Sequence, residues 1–447
     1  MDKTTRTQGG ALAVALAMLT AALFSQEGRT PLPGFSVQQY RLRNGLRVVL
    51  SEEDSLPLVS VVVAYGAGSA RERPGQEGLA YLLENLMFQG SENVNPLQHI
   101  TYVQKTGGEL NANTTFDKSL FYETLPANQL ALALWLESDR MKSLAITPSA
   151  FEGTRDRLLE SNERRRVAEP YLESFAAFDA LLYPDSLYGR PLISGGNDLR
   201  NLSLAEVEAF HDAFYVPNNA VLCITGNIRT AKARELVARY FDSIPPGPDV
   251  PSLPLPRFSQ EGEVTQTIGE LLLPSPALHI GYRFYPLQTG DIYALRIAES
   301  LLLRGSTSRL RARIVKKDRT ALFLNGSLEE RAGVPALKIF VTNNNAVMAE
   351  RCLKAILSEI DKLRGSLVSS EELEKAKNAL KMDYLRRLSV GIDRALLLTE
   401  AEFAGTPPEA ILSELDKCLS VTPHALISVI NRHFVPRNRV ILKLETK

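Results

Sequence analysis

The sequence predicts an α+β fold with two homologous domains, and three observations lead to this prediction. The chain has 447 residues, which is more than a single hydrophobic core usually serves. A proline-rich stretch, "PPGPDVPSLPLP", interrupts the chain near its middle. The order of strand-like and helix-like segments before this stretch recurs after it, which indicates a duplicated unit. We expect each unit to be a mostly antiparallel sheet with helices packed on it.

The N-terminus has the pattern of a secretory signal peptide. Lys3 and Arg6 precede the apolar run "GALAVALAMLTAALF", about 15 residues long, and a polar segment follows it. A run of that length is too short to cross a bilayer as a helix. We therefore predict a signal peptide over residues 1–25, with an uncleaved anchor as the alternative. The protein is then exported, periplasmic or extracellular, with no membrane span after cleavage.

Residues 35–244 are predicted to form the N-terminal domain. Tyr40–Glu53 is typical of a β-hairpin because β-rich runs flank an Asn-Gly pair, a strong turn signal. Leu58–Gly68 has the pattern of a buried strand that ends in glycines. Alternation within Gly108–Pro126 predicts further strand structure, and helical periodicity follows it.

Residues 245–262 are predicted to be the linker, and residues 263–447 the C-terminal domain. The segment "ALHIGYRFYPL" echoes the strand at 58–68, and a helical segment follows both. "FLNGSLEERAGVPALKIFVTN" stands where the "LNANTTF" hairpin stood, and "FVPRNRVILKLE" echoes "FYVPNNAVLCITG". Four echoes in the same order favour duplication over chance.

Composition excludes some classes of function. Lys and Arg number 51, as do Asp and Glu, so the basic excess expected of a nucleic-acid-binding protein is missing. The three cysteines, Cys223, Cys352 and Cys418, form no Cys-x-x-Cys motif, so no zinc knuckle or redox pair is predicted. One disulfide remains open in an exported protein.

The segment Glu77–Val94 predicts a short helix with two different faces. One face is apolar at helical spacing: Leu79, Leu82, Leu83, Leu86 and Met87. The other carries Tyr81, Glu84, Asn85 and Phe88. Taken alone, the second face is most simply interpreted as a polar, half-solvated surface.

This segment resembles the metal-binding helix of the insulinase/pitrilysin family of zinc peptidases, the inverzincins, which carries His-x-x-Glu-His. There the two histidines hold Zn²⁺ and the glutamate is the base for the metal-bound water. "GGELNANTTFDKSLFYETLP" is similar to the family's Asn-Ala-x-Thr edge strand, and "STSRL" with "EELEKAKNALKMDYL" to its second half. The resemblance covers nearly the whole mature chain and implies two domains packed face to face like a clamshell.

Carried over residue by residue, the resemblance implies a lost zinc site. The two histidine positions fall on Tyr81 and Asn85, and only the base position survives, as Glu84. The third ligand, a glutamate in the family, falls on Ser161 or Asn162. A phenol and a carboxamide are poor zinc ligands. No catalytic residue, metal or cofactor is therefore expected here, although active relatives use zinc.

The second half also departs from the family pattern. Family members use an arginine and a tyrosine from this half to hold substrate, and these positions fall on Val315 and Leu322. Arg313 or Arg319 could replace the arginine after a shift in alignment, but no tyrosine is near. The five histidines of the chain include no pair at i,i+3 or i,i+4 spacing, so nothing predicts a rebuilt metal site.

The edge-strand residues Asn111, Ala112, Asn113 and Thr114 are the predicted peptide-binding segment. In the family a peptide adds as a strand beside this segment through main-chain hydrogen bonds, which need few particular side chains. The alternative is a plain edge strand blunted by polar residues.

Together these features predict an exported, catalytically inactive homologue that acts as the non-catalytic subunit of a heterodimeric zinc peptidase. Its expected partners are an active zinc-peptidase paralogue, unfolded peptide, or both. Two alternatives remain: a stand-alone peptide-binding or chaperone-like module, and a metalloendopeptidase with an altered zinc site.

Overall fold

A computed structural model describes residues 36–192, 196–253, 258, 262–270, 273–331, 333–407 and 410–446. The predicted signal peptide, residues 1–25, lies outside these ranges. Among the described residues, no helix combines the length and the apolar character needed to span a membrane. The α+β prediction is confirmed: two mainly antiparallel sheets carry the helices.

The first sheet belongs to the N-terminal half and has six strands in the order β1-β2-β6-β3-β5-β4. Neighbouring strands are antiparallel except β2 and β6. The predicted hairpin is β1 with β2, and the predicted alternating segment is β4 with β5. The strand bounds are Val37–Arg41, Arg47–Glu52, Leu58–Tyr65, Glu109–Thr114, Ser119–Pro126 and Ala220–Gly226 for β1 to β6.

The second sheet belongs to the C-terminal half and has the order β7-β11-β8-β10-β9. Here β7 and β11 are parallel and the remaining pairs are antiparallel, which repeats the arrangement β2-β6-β3-β5-β4. The duplication expected from the sequence therefore extends to strand order and direction. The strand bounds are Val264–Glu270, Ala277–Arg283, Phe323–Glu329, Ala336–Thr342 and Arg439–Thr446 for β7 to β11.

Helices cover both sheets and bury two apolar cores, one in each half. In the N-terminal half, helices α1 to α8 span Leu79–Leu86, Gln98–Lys105, Leu130–Ser143, Pro148–Ala168, Leu172–Leu182, Asn197–Asn201, Leu204–Phe214 and Thr230–Phe241. In the C-terminal half, helices α9 to α14 span Asp291–Leu303, Ala346–Gly365, Ser370–Ser389, Gly391–Phe403, Ile411–Leu419 and Pro423–His433. A π-helical segment, Arg311–Lys317, precedes β9.

One helix of each half packs on the sheet of the other half. Helix α5 of the N-terminal half packs on β8 and β11, where Phe178 stacks on His279 with ring centroids 5.0 Å apart. Gly281 permits this approach, because a Cβ there would lie 2.7 Å from the Phe178 ring. Helix α12 packs in turn on β3 and β6, and Thr225 Oγ1 donates to the Gly391 carbonyl at 2.7 Å. This exchange joins the halves through packed side chains.

The edge strands β4 and β9 match in detail as well as in position. Asn111 lies opposite Tyr122, and Asn325 opposite Phe340, so the two "LN" pairs share one register. In β4 the Ala112 backbone N–H donates to Asn111 Oδ1 at 2.9 Å. In β9 the Gly326 N–H donates to Asn325 Oδ1, also at 2.9 Å. An asparagine therefore satisfies the following backbone N–H in each edge strand.

The domain bounds remain a prediction. Of the predicted linker, residues 245–253, 258 and 262 are described, and none of these lies in a helix or strand. All three cysteines are buried and free in the described structure.

Candidate functional site

Helix α1, which carries the predicted site, is fixed by its apolar face and by a capping carboxylate. Leu79, Leu82, Leu83 and Leu86 are fully buried in the N-terminal core, as their spacing predicts. At the start of the helix, the Glu72 carboxyl group accepts hydrogen bonds from the backbone N–H groups of Gly78 at 3.1 Å and Ala80 at 2.8 Å. Burial raises the pKa of this carboxyl to about 8, so Glu72 holds α1 in place through these two hydrogen bonds to the helix end rather than through a full negative charge.

The other face of α1 is half-buried, and its side chains are engaged locally. Asn85 Nδ2 donates to the Tyr81 carbonyl at 2.8 Å, one turn back on the same helix. Tyr81 packs partly against the N-terminal core, as does Phe88. Burial raises the pKa of the Tyr81 phenol, and the neighbouring Glu84 carboxylate raises it further. Tyr81 is therefore held as a neutral phenol at physiological pH.

Glu84 points between α1 and the end of β4. Burial raises the pKa of its carboxyl, and hydrogen bonds from the Thr114 hydroxyl and backbone N–H lower it in part. Its Oε2 atom is buried and has no hydrogen-bond partner among the described residues. The surviving base position is thus a poorly solvated carboxyl with one unsatisfied oxygen.

The two positions predicted for the third ligand, Ser161 and Asn162, differ in burial. Helix α4 packs beside α1. Its residue Asn162 is 8% exposed and lines a cavity between the two halves. Ser161 is less buried than Asn162. The flanking Glu160 and Glu163 are turned outward, each with its side chain 68% exposed. The inward-facing residue at this point of α4 is therefore a carboxamide.

These residues do not fit zinc. The inward-facing oxygen and nitrogen atoms belong to a phenol, two carboxamides and one carboxyl, whereas catalytic zinc sites use imidazole and carboxylate ligands. The guanidinium of Arg165 also lies near enough to Tyr81 to lower the phenol's pKa. Arg165 is paired with Glu169 at 2.9 Å, which offsets its charge, so the case against zinc rests on the chemistry of the ligand positions.

The C-terminal half supplies no replacement for the family's substrate-binding pair at the predicted positions. Val315 packs against the C-terminal core, and Leu322 is 57% exposed. Arg313, the first possible substitute, pairs with Asp318 at 2.7 Å. Arg319, the second, is exposed and has a φ of 52°.

The predicted peptide-binding segment forms the outer edge of the N-terminal sheet. Among the described residues, β4 pairs only with β5. Glu109, Asn111 and Asn113 are exposed, whereas Leu110 and Ala112 are half-buried, as alternation predicts. A neighbouring chain could therefore reach the backbone of β4 from one side.

A cavity of about 940 Å³ lies between the two halves, next to this edge. The N-terminal half contributes Asn113, Thr114 and Tyr122, which brings the end of β4 and the surroundings of Glu84 to the cavity wall. The C-terminal half contributes Arg331 and Lys338. Both cations are paired: Arg331 with Asp179 at 2.7 Å and with Glu329 at 2.9 Å, and Lys338 with the same two carboxylates.

Sequence reasoning missed a second titratable cluster, His99, Glu123 and Glu137, whose candidate ligand atoms lie within 4.8 Å of one another. All three residues are buried. The Arg140 guanidinium donates two hydrogen bonds, of 2.5 and 3.0 Å, to the Glu137 carboxylate. Burial lowers the pKa of His99 to about 3 and raises that of Glu123 to about 8. The cluster is thus a neutral His99–Glu123 pair beside the Arg140–Glu137 ion pair, and Glu123 Oε1 and Arg140 Nη1 have no hydrogen-bond partner among the described residues.

Comparisons with known proteins agree with this architecture. Residues 47–181 match the family model described as insulinase (peptidase family M16), and residues 201–380 match the model described as peptidase M16 inactive domain. A zinc protease from Helicobacter pylori, PqqE, is 27% identical over 367 residues, which cover 80% of this chain and 82% of that protein.

Two solved structures show the same fold. The crystal structure of a protease from Helicobacter pylori superposes with a TM-score of 0.86 at 24% identity, covering 92% of this chain and 99% of that one. The periplasmic protease PqqL from Escherichia coli gives a TM-score of 0.74 at 17% identity. That match covers 91% of this chain and 47% of the PqqL chain.

Proposed function

The chain belongs to the insulinase family of peptidases (peptidase family M16), and we propose that it is a member without zinc-dependent catalysis. In this proposal it is exported and serves as the non-catalytic subunit of a heterodimeric zinc peptidase. One observation supports the proposal: the fold matches that of family members over most of the chain, while the positions that the resemblance assigns to the three ligands hold Tyr81, Asn85 and either Ser161 or Asn162, of which Asn162 is the more buried.

Without a metal, Glu84 has no activated water to deprotonate. Burial raises the pKa of its carboxyl, so the carboxyl holds a proton more readily than a solvated glutamate does. What the chain retains is a half-open β4 edge and the adjoining cavity, which are features that bind extended peptide. A subunit that holds peptide while a paralogue cleaves it needs no more than this.

Isolation from the native host tests the subunit role. The chain is purified under native conditions, its partners are identified by mass spectrometry, and zinc in the eluate is measured. The proposal expects a stoichiometric paralogue that carries an intact His-x-x-Glu-His motif and the zinc. Recovery of the chain only as a monomer or homodimer would contradict it.

The cavity supports a second candidate, a stand-alone peptide-binding module. The test is binding of an unfolded peptide to the purified chain, with Ala112→Pro to remove one backbone N–H from β4 and Ala112→Ser to retain it. Binding that Ala112→Pro alone abolishes, in a chain with no co-purifying paralogue, would favour this module over the subunit.

A further inference from the structure

The second edge strand, β9, begins next to a group of cations that lack partners. Lys316, Lys317 and Arg319 are exposed, and none has an ion-pair partner within 4.0 Å among the described residues. Asp318 lies among them, but it is paired with Arg313 at 2.7 Å. Three unpaired positive charges within four residues therefore create a local positive field.

Apolar side chains are exposed immediately beyond these cations. Leu322 is 57% exposed and Phe323 52%. The Phe323 ring lies 6.3 Å from the ring of Phe340, which is nearly buried, and the Phe340 ring lies 4.9 Å from that of Phe175. Phe175 is 44% exposed and lines the cavity, so aromatic side chains connect the start of β9 to the cavity. Grouped exposed apolar residues of this kind mark interaction surfaces.

The backbone of β9 is open to one side. Among the described residues, β9 pairs only with β10. Phe323, Asn325 and Ser327 are exposed, and the N–H of Gly326 is satisfied only locally, by Asn325 Oδ1. A strand that pairs with this edge needs only to displace the asparagine side chain.

We propose that β9 is a docking edge for an extended segment of a partner protein that alternates acidic and apolar residues. The acidic residues lie against Lys316, Lys317 and Arg319, the apolar residues against Leu322 and Phe323, and the main chain pairs with β9. The occupant is assigned by charge complementarity. The inference goes beyond the proposed function, because β9 lies in the other half from Glu84 and requires neither zinc nor the β4 edge.

Binding of a fluorescent peptide to the full chain tests the proposal. The probe has about eight residues, alternates glutamate and valine, and matches the length of the strand. Two variants have the same change in charge: Lys316→Glu with Lys317→Glu at the proposed edge, and Arg41→Glu with Arg43→Glu as the control. Arg41 is the last residue of β1, the edge strand of the first sheet, Arg43 lies in the turn after it, and both are exposed.

The expected result is saturable binding that weakens at least tenfold in the Lys316/Lys317 variant and less than twofold in the Arg41/Arg43 variant. Phe323→Ser should also weaken binding, and a lysine–valine peptide should not bind. A peptide N-methylated at alternate residues should bind less well, since it cannot pair as a strand. Equal binding to both charge variants, or to the glutamate and lysine peptides, would overturn the proposal.

Three further outcomes are informative. Self-association of the chain that disappears with Lys316→Glu and Lys317→Glu would replace the foreign partner with a second copy of this chain, and would contradict the assignment. If the charge variant melts at a lower temperature than its parent, Phe323→Ser alone decides. If no paralogue co-purifies with the chain but the chain still binds the acidic peptide, the proposed function is overturned and this inference stands.

Discussion

The two halves share one sheet topology but bury different chemistry at the same point. Leu110 faces Glu123 across β4 and β5, and Leu324 faces Val341 across β9 and β10. The N-terminal half therefore buries a carboxyl where the C-terminal half buries an aliphatic side chain. Since both sheets form with the same strand order, the apolar alternation determines the topology, and individual buried positions are free to carry polar networks.

At the sheet edges the difference is in charge. Beside β4, Arg165 is paired with Glu169, and Glu84 is half-buried. Beside β9, Lys316 and Lys317 are unpaired among the described residues. The duplicated frame offers the same backbone edge twice, and the neighbouring side chains decide which peptide each edge can accept.

Arg331→Ala tests whether the ion-pair cluster around Arg331 holds the two halves together beside the cavity. Arg331 is 7% exposed and joins β9 to the N-terminal half through Asp179 and through the Phe116 ring, 3.9 Å from its guanidinium. Its removal leaves Lys338 to face both Asp179 and Glu329, so one buried negative charge is no longer balanced, and we expect a loss of about 3 kcal/mol in the free energy of unfolding. Urea denaturation measures the loss.

The exposed ion pair on α8 provides the control for Arg331. Lys232→Ala breaks its contact with Glu235 and should cost less than about 0.5 kcal/mol. Similar losses for the two variants would show that the halves are not held together by this cluster.

Glu123→Gln tests whether the carboxyl that stands in place of Val341 makes the stability of the chain depend on pH. Burial raises the pKa of Glu123 to about 8 from 4.5, so the folded chain keeps a proton that the unfolded chain has released. The parent therefore loses stability as pH rises through this window, whereas the glutamine variant lacks this contribution. Its stability relative to the parent should rise by about 1 kcal/mol or more between pH 5 and pH 8.

Thermal denaturation at both pH values measures this change. His99, Glu137 and Arg140 face the carboxyl and are present in both proteins, so the comparison isolates Glu123. Glu109→Gln, at an exposed position on β4, is the control and should show no such trend. A constant difference for Glu123→Gln would mean that its carboxyl is ionised in the folded chain.

The smallest expected effect separates the two edges directly. Asn325→Ala frees the Gly326 N–H and should strengthen binding of the acidic peptide about two- to fivefold, since one competing hydrogen bond is removed. Asn111→Ala makes the same change on β4 and should leave acidic-peptide binding unchanged. Titration by fluorescence anisotropy measures both. Equal gains at both edges would remove the distinction between β4 and β9.

Much of the fold follows from the sequence because its signals are local. The leucine spacing of α1 predicts its buried face, and the echoes between the two halves predict the repeated order of strands. The parallel pairing of β2 with β6 and the exchange of α5 and α12 were not predicted. Both depend on contacts between distant segments that leave no periodic pattern.

The site shows the same limit. Spacing on one helix and a family resemblance place Tyr81, Glu84 and Asn85 together. Choosing Asn162 over Ser161 required knowing which face of α4 is buried. The cluster of His99, Glu123 and Glu137 comes from three separate elements and has no signature in the sequence.

Zinc content tests the central claim, an intact frame without its ligands, most directly. The purified parent chain is compared with Glu84→Gln and with a triple variant, Tyr81→His, Asn85→His and Asn162→Glu, after equilibration with zinc and gel filtration. We predict far less than one zinc per parent chain, no peptidase activity in the parent, and about one zinc per triple-variant chain. About one zinc per parent chain, with peptidase activity that Glu84→Gln abolishes, would contradict the account.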